Sequence, residues 1–208
     1  MTGDPVNLSP VNLAMVLAVD GSASVTFDEF GLIASGMATA LRDDTVVEAL
    51  AAGSFLSLLL WSGTGQHAIL NDWTHLGSKA DVLAFADQVD NMPRIVKPGS
   101  TAIGEALLAA LTLLAHVPAH AKRAIVNVIG DGRSNDGIAP GPIRDRMANA
   151  DITINGLCIL HEEPDLLESY TNEVIGGPGA FAVTCRAYAD FTEAMRQKLL
   201  RETKVPIV

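Results

Sequence analysis

Cysteine is scarce in this sequence, which has only two among 208 residues, Cys158 and Cys185. Cys158 lies inside a strand-like apolar run, and Cys185 lies just after another such run. A free cysteine in a protein core behaves as a small hydrophobic side chain, and two cysteines do not form the disulfide framework of a small secreted domain. We therefore predict two buried free thiols, with a single disulfide as the alternative, and no zinc or redox site.

Basic residues are also few relative to acidic ones. The sequence has 14 Lys and Arg against 24 Asp and Glu, which gives a formal net charge of −10 and a pI of about 4.8. A protein with this charge repels phosphate backbones and anionic membrane surfaces on average. We therefore expect no nucleic-acid partner.

Long apolar runs are absent as well. No run reaches the roughly 18 residues that a membrane span needs, and the first apolar run lacks the basic flank and cleavage site of a signal peptide. We expect no membrane span, and as written the sequence predicts a cytoplasmic protein, or an exported one if a leader has been removed. Nothing in the sequence indicates an oligomeric state.

The remaining composition is that of a folded globule, with 49% hydrophobic and 18% charged residues. A chain of this length is large enough for one domain with a substantial core. We predict a single domain over residues 11–204, with an N-terminal extension over 1–10 and a C-terminal tail over 205–208.

Short apolar runs alternate with segments of helical period along the chain. Strands are predicted at 13–19, 55–61, 67–70, 124–129, 152–160 and 181–184, and helical segments at 27–41, 79–90, 103–114, 142–149, 165–175 and 188–201. The stretch "LRDDTVVE" is interpreted as a helix end and loop. This alternation predicts an α/β fold with three layers: a mostly parallel, doubly wound central sheet, an antiparallel edge hairpin and helices on both faces.

Oxygen-bearing side chains follow the predicted strands at the points where ligands of such sheets bind. Asp20, Ser22 and Ser24 follow the first strand, Thr101 starts a helix after a proline-glycine loop, and Asp131 follows the strand "AIVNVI". Loops at the carboxyl ends of neighbouring parallel strands converge on one crevice. A set made only of oxygens suits Mg²⁺ or Mn²⁺ rather than zinc or copper, so we predict a metal site formed by these five residues.

The spacing and charge of these residues also indicate what such a site could bind. Alternate residues of an extended turn point to the same side, so Asp20, Ser22 and Ser24 can face one ion. The two carboxylates nearly neutralise a dication, and an octahedral ion would keep a position free. An Asp or Glu of a partner protein could occupy that position, which would make the ion a bridge between two proteins.

A simpler interpretation of the same residues is helix capping. Asp20 and Ser24 could cap the helix that follows them, since Asp and Ser are common N-cap residues. Thr101 could likewise be only an N-cap, and Ser100 could share or take that role. Each residue alone leaves both interpretations open.

Three segments, "DGSAS", "GSTAIGEAL" and "VIGDGRSND", resemble the three loops of the metal-ion-dependent adhesion site in von Willebrand factor type A domains. With "NEVIGGPGAFAV", the overall run is similar to a bacterial subgroup described as a domain of unknown function. The resemblance implies a Rossmann-like fold and a non-enzymatic binding module. It also implies that Ser22, Ser24 and Thr101 contact the ion directly, whereas Asp20 and Asp131 act largely through water.

A competing interpretation comes from "GDGRSNDG", which is similar to a motif of phosphotransferases of the haloacid dehalogenase type. In that case the protein would be a Mg²⁺-dependent phosphohydrolase with Asp20 as the nucleophile. Those enzymes carry a second aspartate two residues after the first as general acid and base, and this sequence has Ser22 there. The sequence therefore favours a binding module over a hydrolase.

Overall fold

The computed structural model describes residues 10–204. The predicted C-terminal tail and, apart from Pro10, the predicted N-terminal extension lie outside this range. The strands are β1 Leu13–Asp20, β2 Ser54–Trp61, β3 His67–Leu76, β4 Ala124–Gly130, β5 Ile152–Ile159 and β6 Ala182–Cys185. The helices are α1 Phe27–Leu41, α2 Asp44–Ala51, α3 Lys79–Asp90, α4 Ile103–Leu114, α5 Pro140–Ala148, α6 Leu166–Ser169 and α7 Phe191–Thr203.

The strands form one sheet in the order β3-β2-β1-β4-β5-β6. All neighbours pair in parallel except β2 and β3, which form the antiparallel edge hairpin. The predicted fold class is therefore confirmed. Because the parallel strands end at the same edge, the loops after β1 and β4 are adjacent there.

Strand β1 lies inside the sheet, and all of its residues are buried. Side chains of a strand alternate between the two faces of the sheet. Leu13, Met15, Leu17 and Val19 pack in the core that α1, α2, α3 and α7 cover. Ala14, Val16 and Ala18 belong to the second core, which is covered by α4, α5 and α6. A strand buried on both faces is mostly apolar, so a fully buried carboxylate at its end, Asp20, requires a compensating partner.

The helices at 27–41, 79–90 and 103–114 have the predicted bounds. Thr26 and Glu29 form a capping box at the start of α1, in which the Thr26 side chain accepts from the Glu29 amide and Glu29 accepts from the Thr26 amide. Such a box satisfies amides that have no partner inside the helix. Local side-chain chemistry thus determines where α1 begins.

The interpretation of "LRDDTVVE" as a helix end and loop is wrong, because a second helix, α2, starts within it. Asp43 caps this helix by accepting from the amides of Thr45 and Val46. Val46 and Leu50 are fully buried against the core on the α1 side. Helix α2 is stabilised by burial of its apolar face, and its eight residues are too few for the helical period of apolar residues to be recognised in the sequence.

The edge strand β3 continues to Leu76, beyond the predicted end at residue 70. Its pairing with β2 shifts register between Leu56 and Leu58 and between Leu58 and Leu59. Bulges of this kind twist an edge strand and are common at sheet edges. The extra length was missed because four of the six residues from Asn71 to Leu76 are polar and interrupt the apolar run.

The last predicted helix is divided in the structure. Tyr188–Asp190 forms a 3-10 turn, and α7 follows it. Segment 165–175 likewise combines α6 with the π-helical turn Tyr170–Val174. Among the helices of residues 10–204, none is long and apolar enough to cross a membrane.

A buried polar cluster lies near the C-terminal end of α7. Glu202 contacts Lys198 on the same helix, and both side chains are fully buried. Asn155 donates to Glu202 Oε1 at 2.7 Å and Asn127 donates to Glu202 Oε2 at 3.0 Å. Burial lowers the pKa of Lys198, and the charge of Glu202 opposes that effect. The cluster therefore joins α7 to β4 and β5 through hydrogen bonds to a paired charge.

Both cysteines are buried free thiols, as predicted. Burial raises the pKa of Cys158 to about 12 and that of Cys185 to about 11. The reactive form of cysteine is the thiolate, which these environments disfavour. Cys158 and Cys185 therefore act as packing residues.

Candidate metal centre

Asp20 is the last residue of β1, and its side chain is fully buried. Its Oδ1 accepts a hydrogen bond from the amide of Ser22 at 2.7 Å, which bends the chain back at the strand end. Gly21 allows this loop to pack against Val96, because a Cβ there would lie 2.8 Å from a methyl carbon of Val96. The sequence "DGS" thus places the carboxylate and the first hydroxyl at the carboxyl edge of the sheet.

The hydroxyls of the first loop extend from Asp20 toward the loop after β4. Ser22 Oγ lies 3.1 Å from Ser24 Oγ, and Ser24 Oγ donates to Asp131 Oδ1 at 2.7 Å. Ser22 and Asp131 are fully buried, whereas Ser24 is exposed. These four side chains therefore form a connected group of oxygens that opens to solvent at Ser24.

Thr101 enters the same region from the loop before α4 and is almost completely buried. Its backbone is fixed by Asn135, whose side chain accepts from the Thr101 amide at 2.8 Å and whose amide donates to the Thr101 carbonyl at 2.9 Å. A Cβ on Gly132, the residue after Asp131, would lie 3.6 Å from Thr101 Oγ1. The structure therefore brings all five predicted site residues together at the carboxyl edge.

The capping interpretation of these residues is wrong in the structure. The N-cap of α1 is Thr26, and neither Asp20 nor Ser24 takes part in that cap. Helix α4 begins after Ala102 without a side-chain cap, so Thr101 and Ser100 do not cap it. The oxygens of the three loops are thus available for another role.

The surroundings of both carboxylates in the group disfavour their charged form. Burial raises the pKa of Asp20 to about 7, and the neighbouring carboxylate of Asp131 adds to this increase. Burial also raises the pKa of Asp131. Among the described residues Asp20 Oδ2 has no hydrogen-bond partner, although buried carboxylate oxygens are normally paired. A divalent cation would stabilise the charged form of both carboxylates and would interact with the unpartnered Asp20 Oδ2. The residues therefore fit such an ion.

The donor set also indicates which ions are suitable. Within residues 10–204, no group of three or more His, Cys, Asp or Glu side chains is arranged to hold a metal. The site instead combines two carboxylates with three hydroxyls. Hard cations such as Mg²⁺ and Mn²⁺ accept this combination together with water, whereas zinc and copper favour imidazole and thiolate.

Arg94 supports the first loop, and its role was not predicted. Its guanidinium donates to the carbonyls of Ser22 at 2.6 Å and Gly21 at 3.1 Å. It also lies 5.8 Å from the centre of the Phe30 ring. The sequence shows Arg94 only as one residue of a proline-rich loop, so no local signal identifies it.

Tyr188 is a second unpredicted residue of the site. Its hydroxyl donates to Asp131 Oδ2 at 2.9 Å, and its ring is buried. Asp131 therefore accepts one hydrogen bond on each carboxylate oxygen, from Ser24 and from Tyr188. This contact brings the segment before α7 into the site.

Comparisons with known proteins agree with this architecture. The profile of a family described as "Protein of unknown function (DUF1194)" matches residues 10–206. A comparison with curated proteins found no significant match. Proximal thread matrix protein 1 from the mussel byssus is 15% identical with a TM-score of 0.68, over 92% of this chain and 47% of that one. Another structure of that mussel protein is described as having a zinc-occupied metal-ion-dependent adhesion site (MIDAS) motif.

Two bacterial structures are similar in the same way. A von Willebrand factor type A protein from Catenulispora acidiphila is 17% identical with a TM-score of 0.63, over 93% of this chain and 43% of that one. The vWF domain of the type V pili tip protein Mfa5 from Porphyromonas gingivalis is 12% identical with a TM-score of 0.61, over 97% of this chain and 99% of that one. The chain thus spans less than half of the mussel and Catenulispora proteins and nearly all of the Mfa5 domain. At these identities the similarity shows a von Willebrand factor type A-like fold.

Proposed function

Because this chain belongs to the DUF1194 family of proteins of unknown function and has a von Willebrand factor type A-like fold, we propose that it is a metal-dependent protein-interaction module. It would hold Mg²⁺ or Mn²⁺ at the carboxyl edge of the sheet and bind an Asp or Glu of a partner protein there. The observation that carries the proposal is the convergence of three loops on a buried, oxygen-only group with an unpartnered carboxylate oxygen, Asp20 Oδ2.

We assign the roles of the side chains from the resemblance to the metal-ion-dependent adhesion site. The hydroxyls of Ser22, Ser24 and Thr101 would be direct ligands, and Asp20 and Asp131 would act largely through water. Hydrogen bonds from the Ser22 amide to Asp20 and from Ser24 to Asp131 orient the two carboxylates. Oriented outer carboxylates hold and tune a metal site without occupying its coordination positions.

When bound, the ion supplies positive charge and a coordination position that an outside carboxylate can take. Ser24 is exposed, so a partner could approach from its side of the site. The buried, partly desolvated surroundings of Asp20 and Asp131 strengthen charge interactions there. The names of two similar proteins, a matrix protein and a pili tip protein, agree with a role in protein contacts.

The hydrolase alternative receives less support from the site. A nucleophilic Asp20 would need a proton donor near it, and Ser22 stands where such enzymes have their second aspartate. The Ser22 amide donates to Asp20 Oδ1, and its hydroxyl contacts Ser24. We therefore assign no catalytic residue and propose binding rather than catalysis.

Titration calorimetry of Mg²⁺ and Mn²⁺ into chelator-treated protein tests the proposal. We expect one binding site in the wild type, loss of that site in Asp20→Ala and Asp131→Ala, and normal binding in Asp87→Ala. Asp87 is a matched control because its exposed carboxylate pairs with Arg42 outside the three loops. Absence of binding in the wild type, or equal binding in Asp20→Ala, would contradict the proposed metal centre.

A further inference from the structure

An apolar groove of about 660 Å³ runs between the edge strand β3 and helix α4. Three large aliphatic side chains line it: Ile69 of β3 is 51% exposed, Leu108 of α4 is 41% exposed and Ile138 is 40% exposed. We call this surface the β3–α4 groove. Clustered apolar side chains that remain in water commonly mark an interaction site.

The groove exists because α4 packs over the interior of the sheet and leaves the outer part of β3 uncovered. Ile103 and Leu107 of α4 belong to the same core as Val16 of β1 and Leu59 of β2. The indole of Trp73 in β3 donates to the carbonyl of Leu113 at 3.0 Å. That contact joins β3 to the C-terminal part of α4, whereas Ile69 and Leu108 stay accessible.

The groove adjoins the proposed metal centre through two backbone segments. Helix α4 follows Thr101 almost directly, and Leu108 lies about 7.5 Å along the helix axis from Ile103. The loop after β4 contains Asp131 and continues to Ile138, whose carbonyl lies so close to Gly104 that no Cβ would fit between them. The same loop and helix therefore contribute to both the metal centre and the groove.

The rim of the groove carries two carboxylates beside two histidines, His67 and His116. Asp72 of β3 and Glu105 of α4 both line it, and Glu105 also accepts from the Gly65 amide at 2.7 Å. The whole chain carries a formal charge of −10, so no general excess of cations compensates this rim. A basic side chain next to an apolar one is the complementary occupant.

We propose that the partner binds through an extended segment that occupies the metal centre and the groove together. The segment has an Asp or Glu at the metal centre, a large apolar residue three or four positions away in the β3–α4 groove, and an adjacent Lys or Arg at Asp72 and Glu105. An extended chain advances about 3.3 Å per residue, so three or four residues cover about 10–13 Å. That length is enough for the helix rise of about 7.5 Å from Ile103 to Leu108 and for Ala102, which separates Ile103 from Thr101. This inference rests on the proposed function and adds the sequence preference of the partner.

A displayed library of nonapeptides with a central Asp and random flanks tests the proposal, alongside a library with a central Ala. Both are selected on the wild-type protein in Mg²⁺ and in EDTA. We expect Asp-dependent, Mg²⁺-dependent enrichment of Leu, Ile, Phe or Met three or four positions from Asp, next to Lys or Arg. The selected peptides should bind Leu108→Ser about tenfold more weakly than wild type, because the buried apolar contact is lost.

Leu83→Ser is the matched control, since Leu83 of α3 is 43% exposed and lies outside the groove. It should bind the selected peptides as the wild type does. Asp-dependent peptides with no apolar preference, or with the same affinity for Leu108→Ser as for the wild type, would overturn the role of the groove. The proposed metal centre would not be affected by that result. Self-association of the protein that Leu108→Ser abolishes would identify a second copy as the occupant and overturn the peptide proposal.

Other outcomes separate this inference from the proposed function. Equal enrichment from the Asp and Ala libraries, unchanged in EDTA, would show that peptides bind without the metal ion. That result would overturn the proposed metal-dependent binding and, with it, the segment that contacts both the metal centre and the groove. Enrichment from neither library would overturn the partner segment proposed here. Calorimetry with Mg²⁺ alone then shows whether the ion still binds.

Discussion

The hydroxyl of Tyr188 donates a hydrogen bond to Asp131 across 2.9 Å in space and 57 positions in sequence. Ser24 donates to the other oxygen of the same carboxylate, so Asp131 is fixed between the first loop and the segment before α7. A carboxylate held at both oxygens has little freedom to rotate. The orientation of Asp131 therefore depends on a residue outside the three loops that contain the site.

Replacing Tyr188 with Phe should weaken Mn²⁺ binding about tenfold, because the hydrogen bond that orients Asp131 is lost while the ring remains. Calorimetry with Mn²⁺ measures the change. Tyr170→Phe is the control, since Tyr170 is fully buried near Asp20 and its hydroxyl has no partner among the described residues. Equal losses in both variants would contradict the prediction, because the Tyr170 hydroxyl makes no bond to Asp131.

The stability of the metal-free protein should fall as the pH rises from about 4 through about 7. Asp20 has a pKa of about 7 in the fold against an ordinary value of 3.8, so the folded state keeps a proton that the unfolded chain releases between these values. Asp131, whose pKa is also raised, adds an effect of the same sign. Urea denaturation in EDTA at a series of pH values measures the free energy of unfolding.

Asp20→Asn separates the contributions of the two carboxylates to this pH dependence. Its side chain is neutral at every pH, so only the smaller effect of Asp131 should remain. Saturating Mg²⁺ should reverse the slope in the wild type, because ion binding favours the ionised carboxylates of the folded state. A wild-type slope in EDTA that matches that of Asp20→Asn would refute this assignment.

Gly104→Ala should displace the loop that contains Asp131, because a Cβ at position 104 would collide with the carbonyl of Ile138. We expect weaker Mn²⁺ binding and a lower melting temperature, measured by calorimetry and thermal denaturation. Gly31→Ala in α1 is the matched helical control, since nothing lies within 4 Å of a Cβ there. That variant should gain about 0.5–1 kcal/mol of stability.

The buried cluster at Glu202 should matter for stability rather than for metal binding. Glu202→Met leaves the Lys198 charge without its partner and removes the acceptor of Asn127 and Asn155, so the free energy of unfolding should fall by about 3–5 kcal/mol. Lys198→Met should cost less, because Glu202 keeps both amide donors. Urea denaturation measures the free energy of unfolding of both variants. A loss of Mn²⁺ affinity in either folded variant would contradict the prediction that the cluster affects stability but not metal binding.

The fold was largely predictable because its main signals are local. The buried strands are continuous apolar runs, and the period of apolar residues gave the bounds of α1, α3 and α4. Helix α2 was missed because its eight residues are too few to show a period and its stability comes from tertiary burial. The second half of β3 was missed for a related reason. It is held in the sheet by hydrogen bonds to β2, and it lacks the continuous apolar run by which the other strands were recognised.

The candidate site was predictable only in part. Asp20, Ser22 and Ser24 share one short motif, and Thr101 and Asp131 stand at the predicted ends of loops and strands that the topology brings together. Arg94 and Tyr188 reach the site through contacts between distant segments, and no spacing in the sequence encodes such contacts. The supporting residues of a site are therefore the part that requires three-dimensional coordinates.

The place of β3 at the edge of the sheet implies different stabilities for the proposed metal centre and the proposed β3–α4 groove. Strand β1, which ends in Asp20, has a parallel neighbour on each side, so its amides should exchange with solvent only when the whole domain unfolds. Strand β3 has one neighbour and an irregular register, so it should open and close more often. As temperature rises, the proposed groove should therefore lose its shape before the proposed metal centre does.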